Sequence, residues 1–293
     1  MNHRGHLKQR HVSFGSIVII AILILYMLSL LLPLFWALVS SLKTRLDYAE
    51  NVFGFPHSKW AWDNYATAFN HFTSKNGVRT VYIEEMLLNS LIYAVGGSFL
   101  STFVTCVMAY VSSRFKFKIG KVIYAIVVIA MILPVVGSLP SGIQITKALH
   151  LYDNYAGLLI LQCSFLGIYF LVFYETFKSI PKDYSDAAYV DGAGNLMTFL
   201  RVILPMVRST FFTIMLIKFV GLWNDYNITL EYMPSIKTLA FGLYEYTRSQ
   251  DAAISTTPMR LAGSNLLAVP VILFYLAFHK RLMGNFTQGG LKG

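Results

Sequence analysis

The side chains best suited to bind a polar solute lie inside or beside long apolar runs: Tyr169, Lys218, and the triplet Trp223-Asn224-Asp225. An aromatic face beside amide and carboxylate groups is the chemistry that binds sugar rings and hydroxyls. The same triplet could equally be an interfacial anchor with a helix cap, and both interpretations stay open. A cation near mid-bilayer costs roughly 2.5–3.5 kcal/mol, so Lys218 is expected to face a water-filled path or a carboxylate. Asp225, two helical turns further on, is a distant candidate partner, and snorkelling of Lys218 to the interface is the alternative.

A second group of candidate residues lies in the polar segment from Ile180 to Pro205, between two apolar runs. Pro181 is typical of a helix start, and residues 182–190 contain no helix breaker. Gly192 would allow a turn with positive φ, residues 195–203 predict a second helix, and Pro205 would end it. The pattern predicts a helix, a turn and a helix on a membrane surface.

This polar segment is interpreted as a docking element for a soluble partner, with a solvated linker as the alternative. A carboxylate at Asp186 would meet a cation on the partner, and the small side chains of Ala187 and Ala188 would let the partner surface approach closely. The residues assigned to docking are Asp186, Ala187, Ala188, Asp191, Gly192 and Pro205.

Composition places these residues in a polytopic membrane protein. Apolar residues make up 56% of the 293 positions and charged residues 13%, against roughly 45–50% and about 25% in soluble domains. Six runs are long enough to cross a hydrocarbon core, and all are expected to be helical. They are residues 14–42, 87–112, 122–143, 156–177, 206–230 and 261–278. Pro134, Gly137 and Pro140 predict a break near one end of the third run, either lining a cavity or simply ending the helix.

The distribution of charge predicts the orientation. With the N-terminus in the cytoplasm, the inside segments hold 14 cations and 4 anions, whereas the outside loops hold nine of each. The inside therefore carries the whole formal charge of +10, as the positive-inside rule expects. The cations are spread over several loops, which argues against nucleic-acid binding. The long outside segment 43–86 contains an aromatic cluster with Trp60 and Trp62, suited to a membrane interface or to an extracytoplasmic partner.

The motifs of common catalytic sites are missing from the sequence. There is no Gly-x4-Gly-Lys-Ser/Thr phosphate loop, so the chain is not expected to bind ATP in that manner. There is also no His-Glu-x-x-His, Gly-x-Ser-x-Gly or Cys-x-x-Cys pattern, and no metal site is predicted.

The polar segment resembles the cytoplasmic loop of ABC importer permeases, which reads Glu-Ala-Ala, three residues, Gly, nine residues, then Ile-x-Leu-Pro. This chain has Asp186-Ala187-Ala188, Gly192 and Val202-Ile203-Leu204-Pro205 at the same spacing, with Asp replacing Glu and Val replacing Ile. The resemblance extends over the six-span layout. Three further motifs resemble the second permease subunit of maltose-type carbohydrate importers: Ile180-Pro181-Lys182, Trp223-Asn224-Asp225 and Gln288-Gly289-Gly290-Leu291-Lys292-Gly293.

The resemblance implies an all-α permease of six transmembrane helices, of the type I importer class, in the bacterial cytoplasmic membrane with both termini in the cytoplasm. It implies a catalytically silent subunit whose loop forms a coupling helix seated in a separate ATPase, which binds ATP and Mg. The other implied partners are a second homologous permease in a heterodimer, two ATPase subunits, an extracytoplasmic binding protein, membrane lipid and a sugar or oligosaccharide. The expected organisation is a tail at 1–13, a permease domain at 14–282 with the docking loop at 178–205, and a tail at 283–293 that is a second candidate ATPase contact.

Two other function classes compete with this hypothesis. A secondary transporter, or a permease for a non-sugar solute, would be favoured by acid-base pairs within the membrane, of which the sequence offers only Lys218 and Asp225, and by an internal repeat, which is not visible. A membrane-embedded glycan-processing enzyme is disfavoured because no catalytic pair is apparent.

Overall fold

Regular structure in this computed structural model is almost entirely helical. The structure describes residues 14–57, 59–115, 118–133 and 137–286. The first eight helices are α1 (Phe14–Ser41), α2 (Arg45–Glu50), α3 (Asp63–His71), α4 (Ile83–Leu91), α5 (Gly97–Arg114), α6 (Lys118–Ile132), α7 (Leu139–Ala148) and α8 (Tyr155–Ile160). The others are α9 (Ile168–Ser179), α10 (Asp183–Val190), α11 (Asn195–Thr198), α12 (Leu204–Met206), α13 (Arg208–Asn224), α14 (Asn227–Tyr232), α15 (Leu239–Arg248) and α16 (Thr257–Phe286). An antiparallel hairpin pairs β1 (Thr73–Asn76) with β2 (Arg79–Tyr82).

Within the described residues, two helical stretches are long and apolar enough to cross a membrane: α1, and the continuous stretch Ile83–Arg114 formed by α4, a π-helical turn at Ile92–Gly96 and α5. A third span results if α13 is counted together with the helical segment Asn195–Met206, to which it is joined by a 78° bend. The apolar part of α16, Thr257–Leu273, is shorter. The expected number of six spans therefore stays a prediction.

The break expected in the third apolar run is confirmed. Helix α6 ends at Ile132, and α7 begins at Leu139 with Pro140 in its first turn. Proline is tolerated there because the first N–H groups of a helix have no partner within the helix. Pro134 lies outside the described residues.

The fourth and fifth runs are not the continuous helices that the sequence predicted. The fourth splits into α8 and α9, with residues 161–167 irregular, and Gly167 has φ +136, a backbone conformation that favours glycine. The fifth ends as α13 at Asn224, because Asp225 is extended, with φ −80 and ψ 117. Apolar composition indicates that a segment avoids water, but it does not indicate where the backbone leaves the helix.

Helix α5 lies between α9 and α13, and these three elements connect two buried clusters. The first, at what we call the loop end, contains Tyr110, Phe177, Phe199, Ile203 and Phe211. The second, at the hairpin end, includes Phe72, Met86, Trp223, Tyr246 and Ala262 beside the β-hairpin and α15. The aromatic side chains make both ends rigid, since each buries a large apolar area.

A polar triad anchors α1 to the rest of the bundle. The Asn265 amide of α16 donates to the Tyr65 hydroxyl at 2.9 Å and to the Ser41 hydroxyl at 3.2 Å, and these two hydroxyls are 2.8 Å apart. Most of α1 before this point is exposed and apolar, which suits contact with lipid or another membrane helix.

Candidate functional site

A cavity of about 420 Å³ lies between α5, α9, α13 and the irregular residues 161–167. It brings together three of the five residues that the sequence suggested for a solute path, Tyr169, Lys218 and Asp225. The remaining lining residues are Ser101, Thr105, Leu161, Gln162, Ser164, Phe165, Leu166, Gly167, Phe170, Gly221 and Leu222. A cavity with apolar walls and a few convergent polar groups is the usual form of a small-molecule site.

The Lys218 ammonium is held by neutral hydroxyl groups. Its Nζ donates to Ser101 Oγ at 2.7 Å and to Thr105 Oγ1 at 3.2 Å, and it lies 5.6 Å from the centroid of the Tyr169 ring. Thr105 is only 1% exposed, and its own hydroxyl donates to the Ser101 carbonyl at 2.6 Å. The lone pairs of the Thr105 oxygen are therefore left to accept from Lys218. Among the residues that the structure describes, Lys218 forms no ion pair within 4.0 Å.

Asp225 is fixed by donors instead of by a cation. Its Oδ2 accepts from the Tyr93 hydroxyl at 2.8 Å, and its Oδ1 accepts from the backbone N–H groups of Asn227 at 2.9 Å and Ile228 at 3.4 Å, at the start of α14. The Gln162 amide donates in turn to the Tyr93 hydroxyl at 3.0 Å. The carboxylate thereby caps one helix and joins three segments around the cavity.

Two residues of the predicted path do not line the cavity. Trp223 is 2% exposed in the hairpin-end cluster, where its indole N–H donates to the Leu267 carbonyl at 3.4 Å. Asn224 is exposed, and its amide bonds to the carbonyl of Val220 at 2.8 Å. With about 100° of rotation per helical residue, Lys218 and Leu222 share one face of α13, and Trp223 turns to another. Trp223 is a packing residue in this structure.

Sequence reasoning missed Ser101 and Thr105 as cavity residues, and it missed the buried Tyr93 as the partner of Asp225. Ser101 and Thr105 did carry a signal, because two small polar residues four apart occupy one face of an apolar helix. No comparable signal marks Tyr93, since tyrosine is common in membrane helices and its partner Asp225 lies 132 residues away.

Irregular backbone at residues 161–167 forms one wall of the cavity. Its polar groups find local partners: Cys163 N donates to the Ile160 carbonyl at 2.9 Å, and Leu166 N donates to Ser164 Oγ at 3.3 Å. Non-helical backbone at membrane depth is tolerated where it is buried in protein or lines a cavity. Here the break in the fourth run provides both the shape of the cavity and part of its polar lining.

The second candidate site is the polar segment 180–205 of the predicted docking loop, and we keep the name docking loop for these residues. Helix α10 presents Asp186 and Ala187 to solvent, whereas Ser185 and Ala188 are buried on its other side, where α10 contacts α11 and residues 199–203. The side-chain-free flank expected from Ala187 and Ala188 is therefore reduced to Ala187. Residues three apart share a helix face, so Ser185 and Ala188 form the inner side of α10.

Gly192 makes the turn that the sequence predicted. Its φ is +81, and it follows Asp191 at the end of α10. Gly192 N donates to the Tyr189 carbonyl at 3.0 Å, and Ala193 N donates to the Ala188 carbonyl at 2.9 Å. These two bonds form a Schellman motif, which requires the left-handed conformation at the glycine. Asp191 and Gly192 are both exposed.

Large apolar side chains are exposed on the docking loop. Val190 is 87% exposed and Leu196 is 71% exposed, with Tyr184 and Met197 also on the surface. Together with the free Asp186 carboxylate they form a mixed apolar and acidic surface. An apolar surface rimmed by charge is typical of a protein interaction site.

The inner side of the docking loop is packed against the membrane helices. The ring of Phe199 lies 4.6 Å from the ring of Tyr110 on α5, and Tyr110 lies 5.4 Å from Phe177 on α9. Displacing the loop would therefore displace both helices that frame the cavity, because a close-packed interior transmits strain.

The second half of the loop ends slightly later than expected. After α11 the chain forms a π-helical turn at Phe199–Ile203 and then the single turn α12, which contains the exposed Pro205. The helical path changes direction at the buried Val207, one residue after α12, and not at Pro205 itself. Proline fits the first turn of α12 for the same reason as in α7.

Comparison with known proteins decides the family. Residues 101–280 match the model for the binding-protein-dependent transport system inner membrane component. The chain belongs to this family of transport permeases.

Relatives of the permease come from several bacteria. The diacetylchitobiose uptake system permease protein NgcG of Streptomyces coelicolor is 30% identical, covering 92% of this chain and 86% of the relative. The arabinooligosaccharides transport system permease protein AraQ of Bacillus subtilis is 27% identical over 97% and 99% of the two chains. A bacterial ABC transporter involved in importing the acidic polysaccharide alginate shares the fold, with a TM-score of 0.73, 20% identity, and coverage of 92% of this chain and 97% of the other.

Membership of the family confirms the resemblance drawn from the docking-loop motif. The permease has the type I ABC permease fold and is a membrane-embedded transport component, not an enzyme. A permease of this kind works with a partner permease, an ATPase and a binding protein. The secondary-transporter and glycan-processing hypotheses are therefore wrong.

Proposed function

We propose that the permease imports a sugar or oligosaccharide, and that ATP-driven movement enters it through the docking loop. The names of NgcG and AraQ, which specify a disaccharide and arabinooligosaccharides, support the sugar assignment. A cavity that combines hydroxyl, amide and aromatic groups supports it as well, because sugars are bound by such groups.

One observation carries the coupling role: the docking loop exposes apolar side chains and an acidic residue on one side, and on the other its Phe199 packs on Tyr110, which in turn contacts Phe177. In this proposal α10 is the coupling helix, and Asp186, Ala187, Asp191 and Gly192 contact a cleft of the ATPase. Ala188 lies on the buried side of α10 and does not contact the ATPase. Pro205 starts the last turn before the bend into α13, so that motion of the loop changes the angle at Val207.

The loop end faces the cytoplasm in this proposal, and the hairpin end faces the binding protein. The excess of cations in the inside segments supports this orientation. The permease would cross the membrane six times, with both termini in the cytoplasm, although residues 1–13 and 287–293 lie outside the described part of the chain. Two of these crossings would be broken helices: α8 followed by α9, and α13 followed by α14.

The assembly we propose is a heterodimer of two permeases with two ATPase subunits. ATP and Mg bind to the ATPase subunits, and this chain binds no cofactor. Its cavity forms half of the translocation path, and the partner permease forms the other half.

The test is a charge reversal at the exposed coupling surface. Asp186→Lys removes an acidic partner for the ATPase, so we expect sugar uptake and co-purification of the ATPase to fall together, by about tenfold or more for a charge-assisted contact. The matched control is Glu175→Lys, a reversal on the exposed side of α9. If Asp186→Lys transports like the control, the docking assignment is wrong, provided that both variants reach the membrane in equal amounts.

A further inference from the structure

We infer that the sugar carried by this permease bears an anionic group, and that Lys218 binds that group in the cavity. The inference rests on the proposed function and adds the charge of the substrate. The names of the relatives do not decide this point, because they cover both neutral and acidic sugars.

The first step is the incomplete compensation of the ammonium charge. Lys218 has three N–H donors, of which two bond to the hydroxyls of Ser101 and Thr105. Neutral hydroxyls satisfy hydrogen bonds but supply no opposite charge. Within the described ranges of the chain, no carboxylate lies within ion-pairing distance of Lys218. A cation in a membrane helix costs free energy when it has no counter-charge. A ligand with an anionic group would supply that counter-charge and bind more tightly for this reason.

The second step is that Asp225 does not serve as this counter-charge. Seven residues of helical rise separate the two positions by about 10 Å along α13. The Asp225 carboxylate already accepts from Tyr93, Asn227 and Ile228. Asp225 also lines the cavity, but its carboxylate is held by these three donors at the start of α14. Lys218, in contrast, keeps one N–H donor that bonds to no group in the described part of the chain.

The third step is the position of Lys218 within the binding surface. Its ammonium lies on a rigid support, since Ser101 and Thr105 are both buried on α5. Gln162 and Ser164 lie on the adjacent wall and offer neutral polar groups for sugar hydroxyls. The Tyr169 ring, 5.6 Å from the ammonium, gives an aromatic face on the same side. The cavity thus has a cationic position at Lys218, several neutral polar positions, and the Asp225 carboxylate, which Tyr93 and two backbone N–H groups already hold. This arrangement suits a sugar with a single anionic substituent per bound unit, placed at Lys218 and away from Asp225.

The experiment uses the complete complex, with both permeases, the ATPases and the binding protein, in liposomes. Uptake is compared for uronic-acid oligosaccharides and for the same oligosaccharides after chemical reduction of their carboxyl groups, which leaves chain length and linkage unchanged. We expect the acidic series to be taken up at least about tenfold faster, as for a hydrogen bond to a charged group. Lys218→Gln, which keeps hydrogen bonding but removes the charge, should abolish this preference.

The matched control is Lys147→Gln, because Lys147 is exposed, its ammonium lies 4.7 Å from the Tyr152 ring, and it is not one of the residues that line the cavity. It should keep the full preference for the acidic series. Co-purification of the second permease with the Lys218→Gln variant should equal that of the wild type. Loss of the second permease would overturn the inference, since the counter-charge of Lys218 would then be a carboxylate of that subunit.

The other outcomes separate the inference from the proposed function. Equal uptake of the acidic and reduced series by the wild type, or an unchanged preference in Lys218→Gln, would overturn the inference and leave sugar import intact. Uptake of neither series by a complex that still hydrolyses ATP would contradict the sugar assignment itself.

Discussion

The docking loop and the cavity differ in where their polar groups find partners. In the docking loop, Asp186 and Asp191 project into solvent without a partner among the described residues, and large apolar side chains are exposed beside them. In the cavity, Lys218 and Asp225 are each bonded to side chains of other segments. In the function proposed here the loop is a surface that another protein completes, whereas the polar groups of the cavity are already held by the chain itself. A substitution should therefore act on association at the loop and on passage of the solute at the cavity.

The sharpest test of this contrast fills the cavity. Gly221 lines it, and a Cβ added there would meet no atom within 4 Å. Gly221→Phe should therefore fold, because a residue with a Cβ atom fits the helical backbone at this position. The phenyl ring would then fill part of the cavity. We expect sugar uptake to be abolished, with ATPase association unchanged, as measured by uptake in proteoliposomes and by co-purification.

The control for the filled cavity is Gly221→Ala, which adds one methyl group and should retain most of the uptake. Normal uptake by Gly221→Phe would mean that the cavity is not on the solute path. Loss of the ATPase from Gly221→Phe would contradict the separation between loop and cavity.

A smaller effect is expected at the aromatic contact that joins the two regions. Tyr110→Ala removes the ring between Phe199 and Phe177, and truncation of a buried aromatic costs about 3–5 kcal/mol. Fewer sugar molecules should be transported per ATP hydrolysed, and the melting temperature of the purified complex should also fall. Tyr110→Phe keeps the ring and should preserve the transport ratio. If Tyr110→Ala lowers the melting temperature but leaves the ratio unchanged, Tyr110 stabilises the fold without transmitting motion.

The smallest effect is expected at the turn of the docking loop. Gly192→Ala meets no neighbouring atom, so its cost is confined to the left-handed backbone, about 1–2 kcal/mol. The affinity of the ATPase for the permease should fall by about five- to thirtyfold, as a binding titration would measure. Asparagine tolerates this conformation better, so Gly192→Asn should lose less. Equal affinities for the wild type and Gly192→Ala would show that the turn is not held in this conformation in the complex.

The two regions also differ in how far the sequence alone predicted them. The docking loop was predicted closely, including the positive φ at Gly192, because its helices, turn and Schellman bonds connect residues at most five apart. The orientation of Ala188 was missed, since it depends on which side of α10 contacts the bundle. The break in the third run was predicted from its prolines. The break at residues 161–167 was not predicted, because Gly167 is the one local signal for it and packing between segments decides the rest.

The sequence by itself determined that this chain is a membrane permease with a helix-turn-helix loop, because apolar runs and a contiguous motif are local properties. Only the tertiary structure decided which polar residues share the cavity. It brought Lys218 to Ser101 across 117 residues of sequence and Tyr93 to Asp225 across 132. It also turned the neighbouring Trp223 into the hydrophobic core. The physical reason is that the direction of a side chain depends on where each helix starts, bends and ends, and those points are fixed by contacts between segments that are distant in the chain.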